Sequence, residues 1–228
     1  MTNRIPNHVA FIMDGNSRWS KKNKLSKKLG YKKGIETLEN LINICIDKKI
    51  KIITVYALST ENIYRKDIDI IYSIINNFIN ESKSLDRFKY IDFRLLGNRE
   101  NINYKILSFF DRLEKNQSSN KKIILNLAYN YGSWTELENC IKKISQLYKD
   151  RKFIINEKII RENLYTKNIP DPDILIRTGG KKRLSNFLLL QLKYTELFFI
   201  DTLWPDFNEM SFLKILKEYQ EINRTFGL

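Results

Sequence analysis

Along the chain, short apolar runs rich in β-branched residues alternate with longer stretches whose apolar residues recur every three or four positions. Runs of the first kind fit strands buried on both faces, and stretches of the second kind fit amphipathic helices. His8–Met13, Ile52–Leu58, Ile91–Leu96, Ile123–Ala128, Asp173–Arg177 and Leu197–Ile200 are predicted strands. Helical spacing links Ile35, Leu38, Leu41, Ile42, Cys45 and Ile46, then Ile68, Ile71, Tyr72, Ile75, Phe78 and Ile79. It returns over Ile102–Leu113, over Leu137–Leu147 and over Phe212–Tyr219. This alternation predicts an α/β protein with a central, mostly parallel six-stranded sheet flanked by helices and joined by right-handed crossovers. With no repeat, no Pro/Gly-rich linker and no break in composition, residues 1–228 read as a single domain.

Ligands in such sheets bind beyond the carboxyl ends of the strands. The residues there are Asp14-Gly15-Asn16-Ser17-Arg18-Trp19, Ser59-Thr60-Glu61-Asn62, Gly97-Asn98-Arg99, Asn130-Tyr131-Gly132 and Arg177-Thr178-Gly179-Gly180. A carboxylate such as Asp14 at a strand end can hold Mg²⁺. Gly15 lets the backbone approach a ligand closely, and the amides after it open a helix able to cradle phosphate. Arg18 adds a forked donor for phosphate oxygens. The same residues also read as a plain helix start, with Asp14 in a turn. Arg177, Gly179 and Gly180 with Arg183 and Ser185 can form a pyrophosphate clamp, its field enlarged by Lys181 and Lys182, or a basic surface turn.

Composition changes the picture little. An apolar fraction of 43% and a charged fraction of 29% are those of a globular protein. The net charge of +14 points to a polyanionic partner. Against that, the chain is crowded with Lys, Ile and Asn and has only Ala10, Ala57 and Ala128 as alanines, a pattern of AT-rich coding that fills solvated surface with lysine. Cys45 and Cys140 stand among apolar residues and read as small buried hydrophobes in a reducing compartment. Val9–Met13 is too short for a secretory h-region, and no apolar run reaches membrane-spanning length, so a cytoplasmic protein is expected.

Several chemistries are absent. There is no G-x-x-x-x-G-K-[ST] and no G-x-G-x-x-G. The one histidine, His8, opens a strand and reads as structural, which argues against a Ser-His-Asp triad. Nucleic-acid binding has only the net charge behind it, without basic residues interleaved with exposed aromatics.

Taken together, the strand ends resemble one family, the cis-prenyltransferases typified by bacterial undecaprenyl diphosphate synthase. The resemblance runs through His8–Asn16, Tyr56–Asn62, Leu125–Gly132, Pro172–Gly180, Arg183–Leu189, Glu196–Phe199 and Leu203–Phe207. It implies that family's fold, with an apolar product tunnel. It also implies Mg²⁺-dependent condensation of isopentenyl diphosphate with an allylic diphosphate, such as farnesyl diphosphate, into a long polyprenyl diphosphate, the precursor of a cell-wall lipid carrier. By resemblance, Asp14 organises Mg²⁺ on the allylic diphosphate, Gly15, Asn16, Ser17 and Arg18 cradle that diphosphate, and Trp19 packs nearby. Arg177, Arg183 and Ser185, with Leu184 between them, clamp isopentenyl diphosphate, and Glu196 is a second metal-associated carboxylate. Ser59, Thr60, Glu61, Asn62, Ile63 and Arg65 form the loop between the substrates. Asn62 stands where the family offers a proton acceptor; a neutral amide is a very weak base, so an orienting or relaying role suits it better, with the released diphosphate as the sink for the proton.

The chain departs from the family pattern at Ser17 for Gly, Lys27 for Arg, Tyr31 for His, Ile63 for Trp, Lys66 for Pro, Lys181 for an acid, and in its tail Arg224–Gly227. At Lys27 and Tyr31 two phosphate contacts are changed. The resemblance further implies a homodimer built around Glu196–Phe207, with Trp204 in the interface. Ile68–Ile79 is either ordinary core or the wall of the tunnel, and the lysine excess allows contact with an anionic membrane surface. A non-catalytic partner subunit is the competing reading, but such partners lose the carboxylate and arginines that this chain keeps. The helical trans-prenyltransferases are excluded, because the chain has no Asp-Asp pair.

Overall fold

Each of the six apolar runs forms a strand. The computed structural model describes residues 4–64, 68–80, 88–116, 119–147, 149 and 153–223. The elements are β1 (His8–Ile12), α1 (Asn16–Lys22), α2 (Lys27–Asp47), β2 (Ile52–Ser59), a short 3₁₀ turn (Thr60–Tyr64) and α3 (Ile68–Asn80). They continue with β3 (Ile91–Leu96), α4 (Tyr104–Lys115), β4 (Ile123–Tyr131), α5 (Ser133–Leu147) and α6 (Glu157–Asn163). Last come β5 (Ile174–Arg177), β6 (Glu196–Phe199), a second 3₁₀ turn (Trp204–Asp206) and α7 (Glu209–Glu221).

The six strands form one sheet in the order β3-β4-β2-β1-β5-β6, and every pairing is parallel. Because both faces are covered, the strands read as continuous apolar runs rather than as alternating ones. On one face, Val9, Phe11, Ile53, Val55 and Phe93 pack under α2, α4 and α7. On the other, Ala10, Ile12 and Leu175 meet Phe187, Leu188 and Leu192. Burying a side chain such as Phe11 contributes roughly 1.5–3 kcal/mol. That ring sits among Trp204, Phe207 and Phe212 at centroid distances of 6.2, 6.2 and 5.9 Å.

Helix ends carry the expected side-chain caps: Ser26 for α2, Asn103 for α4, Asn156 for α6 and Asn208 for α7. α2 begins well before its apolar periodicity does. Its first turns are polar and glycine-containing, and they are helical because α1 lies across them. A Cβ on Gly34 would fall 2.5 Å from Asn16 Oδ1, so the close approach of the two helices requires glycine there. α6 has no fully buried residue and leaves no periodic signal in the sequence.

Both cysteines and His8 behave as structural residues. Cys45 and Cys140 are buried and free. His8 Nδ1 lies 2.7 Å from the carbonyl of Pro170, and Nε2 lies 2.7 Å from Thr54 Oγ1. A carbonyl can only accept, so Nδ1 carries the proton and Nε2 accepts from Thr54. Desolvation on burial lowers its pKa to about 4, against smaller raising effects of Pro170, Asp173 and Asp171.

Trp204 corrects an expectation. It is 1% exposed within the single chain, its Nε1 donates to the Gly34 carbonyl at 2.9 Å, and it stacks on Phe207. It is core, and cannot anchor an interface between copies. The exposed apolar residue of that region is Leu197, on β6 at the edge of the sheet.

Candidate active site

The carboxyl ends of β1 and β5 lie side by side, Ile12 paired with Arg177. This places the two richest motifs of the sequence against each other. Arg177 Nη2 is 3.0 Å from Asp14 Oδ2, and Arg18 Nη2 is 2.9 Å from Asp14 Oδ1. Arg177 also donates to Ser185 Oγ at 2.8 Å and to the Arg183 carbonyl. Arg18 Nη1 donates to the Gly179 carbonyl at 2.6 Å. Thr178 Oγ1 donates to the Asp14 carbonyl at 2.7 Å. Asp14, Arg18, Arg177, Thr178, Gly179 and Ser185 therefore make one cluster.

Gly179 has φ +82°, and a Cβ there would fall 2.3 Å from Arg18 Nη2. Any other residue would push the guanidinium out of the cluster. The Arg177 side chain is 4% exposed and Asp14 29%. Arg177 Nε is buried without a protein partner. One carboxylate between two guanidinium groups leaves a positive excess in a partly dry pocket. An entering phosphate can take forked hydrogen bonds from the arginines in place of the carboxylate.

A second group of residues closes the cluster from the side. Asn186 Nδ2 donates to Glu61 Oε1 at 2.8 Å, which ties the segment Arg183–Asn186 to the 3₁₀ turn carrying Asn62. The Asn62 amide donates to Ser59 Oγ at 3.2 Å. Burial tends to raise the Glu61 pKa, but hydrogen bonds from Asn186, its own amide, Ser59 and Thr60 outweigh it and lower the value overall. Tyr56 Oη reaches the carbonyls of Tyr131 and Ser185, each at 3.2 Å. Burial and then the Glu61 charge raise the Tyr56 pKa, so its hydroxyl serves as a donor. Asn186 and Tyr56 lie within the family-like stretches of sequence, but nothing in their spacing marks them as links.

Behind this group stands Glu136, buried on α5. It accepts from Tyr131 Oη at 2.6 Å, Gln191 Nε2 at 3.0 Å and the Tyr165 amide at 2.9 Å. Desolvation raises its pKa, and these hydrogen bonds hold the rise back. It fixes the loop after β5 to α5.

The remaining expected residues are dispersed. Trp19 Nε1 donates to Asp206 Oδ1 at 2.6 Å, so it packs on the second 3₁₀ turn. Lys27 is exposed at the start of α2, and Tyr31 lines an apolar cavity beside the cluster. The Arg183 side chain is exposed, Leu184 packs into the core beneath the loop, and Ile63 packs against the main core. Arg65 lies outside the described residues. Glu196 does not join Asp14 within one chain. It opens β6 in register with Ile174, at the amino end of the sheet, whereas Asp14 follows the carboxyl end of β1. No group of three His, Cys, Asp or Glu side chains able to hold a metal ion occurs among the described residues.

The cavity has a volume of about 590 Å³. It runs over the face of the sheet from Met13, Asn16, Ala57 and Tyr129 near the carboxyl ends to Ile91, Phe93 and Leu125 near the amino ends. Its other walls are Tyr31, Ile35, Leu38 and Ile42 of α2, Ile71, Ile74, Ile75 and Phe78 of α3, and Phe109, Phe110 and Leu113 of α4. Met13 and Asn16 flank Asp14, so the charged cluster and the apolar cavity share a boundary.

A parallel α/β sheet with a carboxylate–arginine cluster at its carboxyl end and a long apolar cavity alongside defines a protein that handles amphiphilic anions. The family model described as "Putative undecaprenyl diphosphate synthase" matches residues 12–227. An isoprenyl transferase of Aquifex aeolicus is 37% identical, covering 100% of this chain and 98% of the relative. The corresponding protein of Fusobacterium nucleatum is 39% identical over 100% of this chain and 98% of its own. A tritrans,polycis-undecaprenyl-diphosphate synthase (geranylgeranyl-diphosphate specific) of Pyrococcus furiosus is 38% identical over 98% of this chain and 87% of its own. Among solved structures, lavandulyl diphosphate synthase from Lavandula x intermedia in complex with dimethylallyl diphosphate superposes with a TM-score of 0.91 at 30% identity, covering 98% of both chains. A probable undecaprenyl diphosphate synthase from Campylobacter jejuni gives 0.80 at 29% identity, covering 99% of this chain and 100% of its own. The chain belongs to the undecaprenyl diphosphate synthase family of cis-prenyltransferases. It is an isoprenyl transferase, and its reaction is cis-prenyl chain elongation.

Proposed function

We propose that this enzyme adds isopentenyl diphosphate units to an allylic diphosphate, preferably farnesyl diphosphate, and releases a long polyprenyl diphosphate that serves as a cell-wall lipid-carrier precursor. The observation that carries this reading is the shared boundary between the Asp14–Arg18–Arg177 cluster and the apolar cavity. An allylic diphosphate has the matching shape, a charged head on an apolar tail.

In this reading Arg18 and the amides opening α1 hold the allylic diphosphate, while Arg177, Arg183 and Ser185 hold isopentenyl diphosphate. The allylic C–O bond breaks, and its electron pair leaves with the diphosphate. The double bond of isopentenyl diphosphate attacks the allylic cation and forms the new C–C bond, and a proton is then lost to the departed diphosphate. The guanidinium groups lower the barrier because the charge they face grows as the bond breaks. Asn62, held through Ser59 and the Glu61–Asn186 link, orients the second substrate. α3 and the facing side of α2 form the wall of the tunnel for the growing chain.

Mg²⁺ fits this donor set in one way. The ion takes one or two carboxylates and completes its shell with substrate phosphate and water. Asp14 supplies the carboxylate and the substrate the rest. When bound, the ion would neutralise charge on the leaving diphosphate.

Two copies of the chain are proposed to pair along the β6 edge, where Leu197 is 44% exposed. The protein is proposed to be cytoplasmic, touching anionic membrane only at its surface; no described helix is long and apolar enough to cross one. The catalytic reading is tested by incubating purified protein with Mg²⁺, labelled isopentenyl diphosphate and, in parallel, dimethylallyl, farnesyl or geranylgeranyl diphosphate, then sizing the labelled lipid. Long products from farnesyl diphosphate are expected. Label that stays in isopentenyl diphosphate with all three starters would overturn the reading.

A further inference from the structure

We propose that the turn between α1 and α2, with the helix ends on either side of it, is the surface by which this protein docks on an anionic lipid membrane. From Ser17 to Ile35 the chain holds seven lysines and one arginine, and no aspartate or glutamate. Every residue from Lys21 to Leu29 is exposed. Two of these are leucines, Leu25 at 43% and Leu29 at 47% exposure. Leu25 and Leu29 are the large apolar residues that this otherwise polar, basic stretch presents to solvent. Lysines around exposed leucines match an interfacial binder, in which the charges draw in anionic headgroups and the leucines enter the acyl boundary.

The local electrostatics point the same way. The first turn of α2 carries Lys27 and Lys28 and no acid. These charges add to the positive end of the helix dipole instead of offsetting it. A surface selected only for stability would place acids there.

The position of the turn matches a lipid-handling site, and here the inference rests on the cavity's proposed role as the tunnel for a prenyl chain. α1 starts at the carboxyl end of β1, and α2 returns toward the start of β2, so the turn lies at the same end of the molecule as the Asp14 cluster. Tyr31 and Ile35, two and six residues beyond the exposed stretch on the same helix, line the cavity. Docking through Leu25 and Leu29 sets the cavity beside the bilayer, so a long apolar product enters lipid without crossing water. Single-stranded nucleic acid carries the same charge, but the grooves that bind it combine basic residues with aromatics on which bases stack. The stretch from Lys21 to Leu29 contains no aromatic residue.

The test is flotation with vesicles of phosphatidylglycerol mixed with phosphatidylcholine, against phosphatidylcholine alone. The wild type should float with the anionic vesicles only, and less so as salt is added. Lys22→Gln, Lys24→Gln and Lys28→Gln together should weaken binding roughly a hundredfold, at about 1 kcal/mol for each lysine. The control Lys142→Gln, Lys143→Gln, Lys158→Gln removes the same charge elsewhere and should bind as the wild type does. Leu25→Ser with Leu29→Ser should leave weaker binding that depends more steeply on salt. Equal loss in both lysine triples would assign the effect to net charge and overturn the proposal, as would unchanged binding in the first triple. A single-stranded oligonucleotide that displaces the protein from the vesicles would reassign the surface to nucleic acid. Prenyl transfer measured without vesicles is the independent readout. Activity without vesicle binding sinks the docking surface alone, and vesicle binding without activity sinks the catalytic reading alone.

Discussion

At the scale of single residues, Asp14 has two roles that one substitution can confuse. It is the proposed ligand for Mg²⁺, and it is also the counter-ion of Arg177, whose side chain is 4% exposed. Removing one partner of a buried pair costs several kcal/mol, because the other charge is left uncompensated. Asp14→Ala is therefore expected to lose thermal stability as well as activity. Asp14→Asn also removes the counter-charge but keeps one hydrogen-bond acceptor for Arg177. It should melt above Asp14→Ala and below the wild type, while turnover falls about a thousandfold, a barrier increase of about 4 kcal/mol. Near-normal turnover in Asp14→Asn would remove Asp14 from the reaction. The two clamp arginines are expected to separate in the same way. Arg183→Ala, exposed, should raise KM for isopentenyl diphosphate with an unchanged melting temperature. Arg177→Ala should raise KM and also lower the melting temperature, because it strips contacts from Asp14, Ser185 and the Arg183 carbonyl. Steady-state kinetics and a thermal melt distinguish the two. Their place at strand ends marks Asp14, Arg18, Arg177 and Ser185 as candidates in the sequence, and the structure brings them together. The sequence does not show that Asp14 and Arg177 touch, since that contact depends on β1 lying next to β5. Asn186 and Tyr56 stay hidden because their partners are carbonyls and side chains far away in sequence.

At the scale of elements, His8 shows how one buried side chain couples three segments. It joins β1 to Thr54 on β2 and to Pro170 ahead of β5. Its folded pKa, about 4, lies below the unfolded value of 6.5. The unfolded chain thus binds a proton between those values that the folded chain does not. The stabilising contribution is complete above pH 6.5 and is lost as pH falls toward 4. By about pH 4.5 the loss is of the order of 2–3 kcal/mol, at roughly 1.4 kcal/mol for each pH unit between the two values. Urea midpoints at pH 7 and pH 4.5 should therefore differ more for the wild type than for His8→Asn. Equal differences would show that the imidazole is not held neutral. The strands are legible because burial on both faces leaves unbroken apolar runs. The first half of α2 is not, because what makes it helical is the packing of α1 against its glycines. The apolar run predicts an end to β4 at Ala128, but the strand continues to Tyr131, as polar and aromatic residues at its end pair with β2.

At the scale of the whole molecule, the parallel sheet ends on β6, and its free edge is the proposed meeting place of two copies. Light scattering should give about twice the 27.3 kDa of one chain. Leu197→Lys should bring the mass toward that of one chain, since a charge at an apolar contact lacks a partner on either copy. A wild type that scatters as one chain at micromolar concentration would rule the edge out. Trp204, which the apolar stretch alone makes attractive as an anchor, has no part in this prediction because its own chain already covers it. Sequence composition reports that a residue will be buried, but not whether its own fold or a second copy buries it.

The strand order also bears on how the protein comes off the ribosome. β1, among the first segments to emerge, pairs on one side with β5, and Ile12 waits for Arg177 across 165 positions of chain. At roughly 5–20 residues per second that is on the order of ten to thirty seconds of synthesis. Until then the β5 side of β1 is an open edge next to apolar residues, the kind of surface that invites aggregation or a chaperone. The Asp14–Arg177 cluster is completed by the same late strand. If it holds the diphosphates as proposed, the nascent chain is inert toward them until its last quarter has been made.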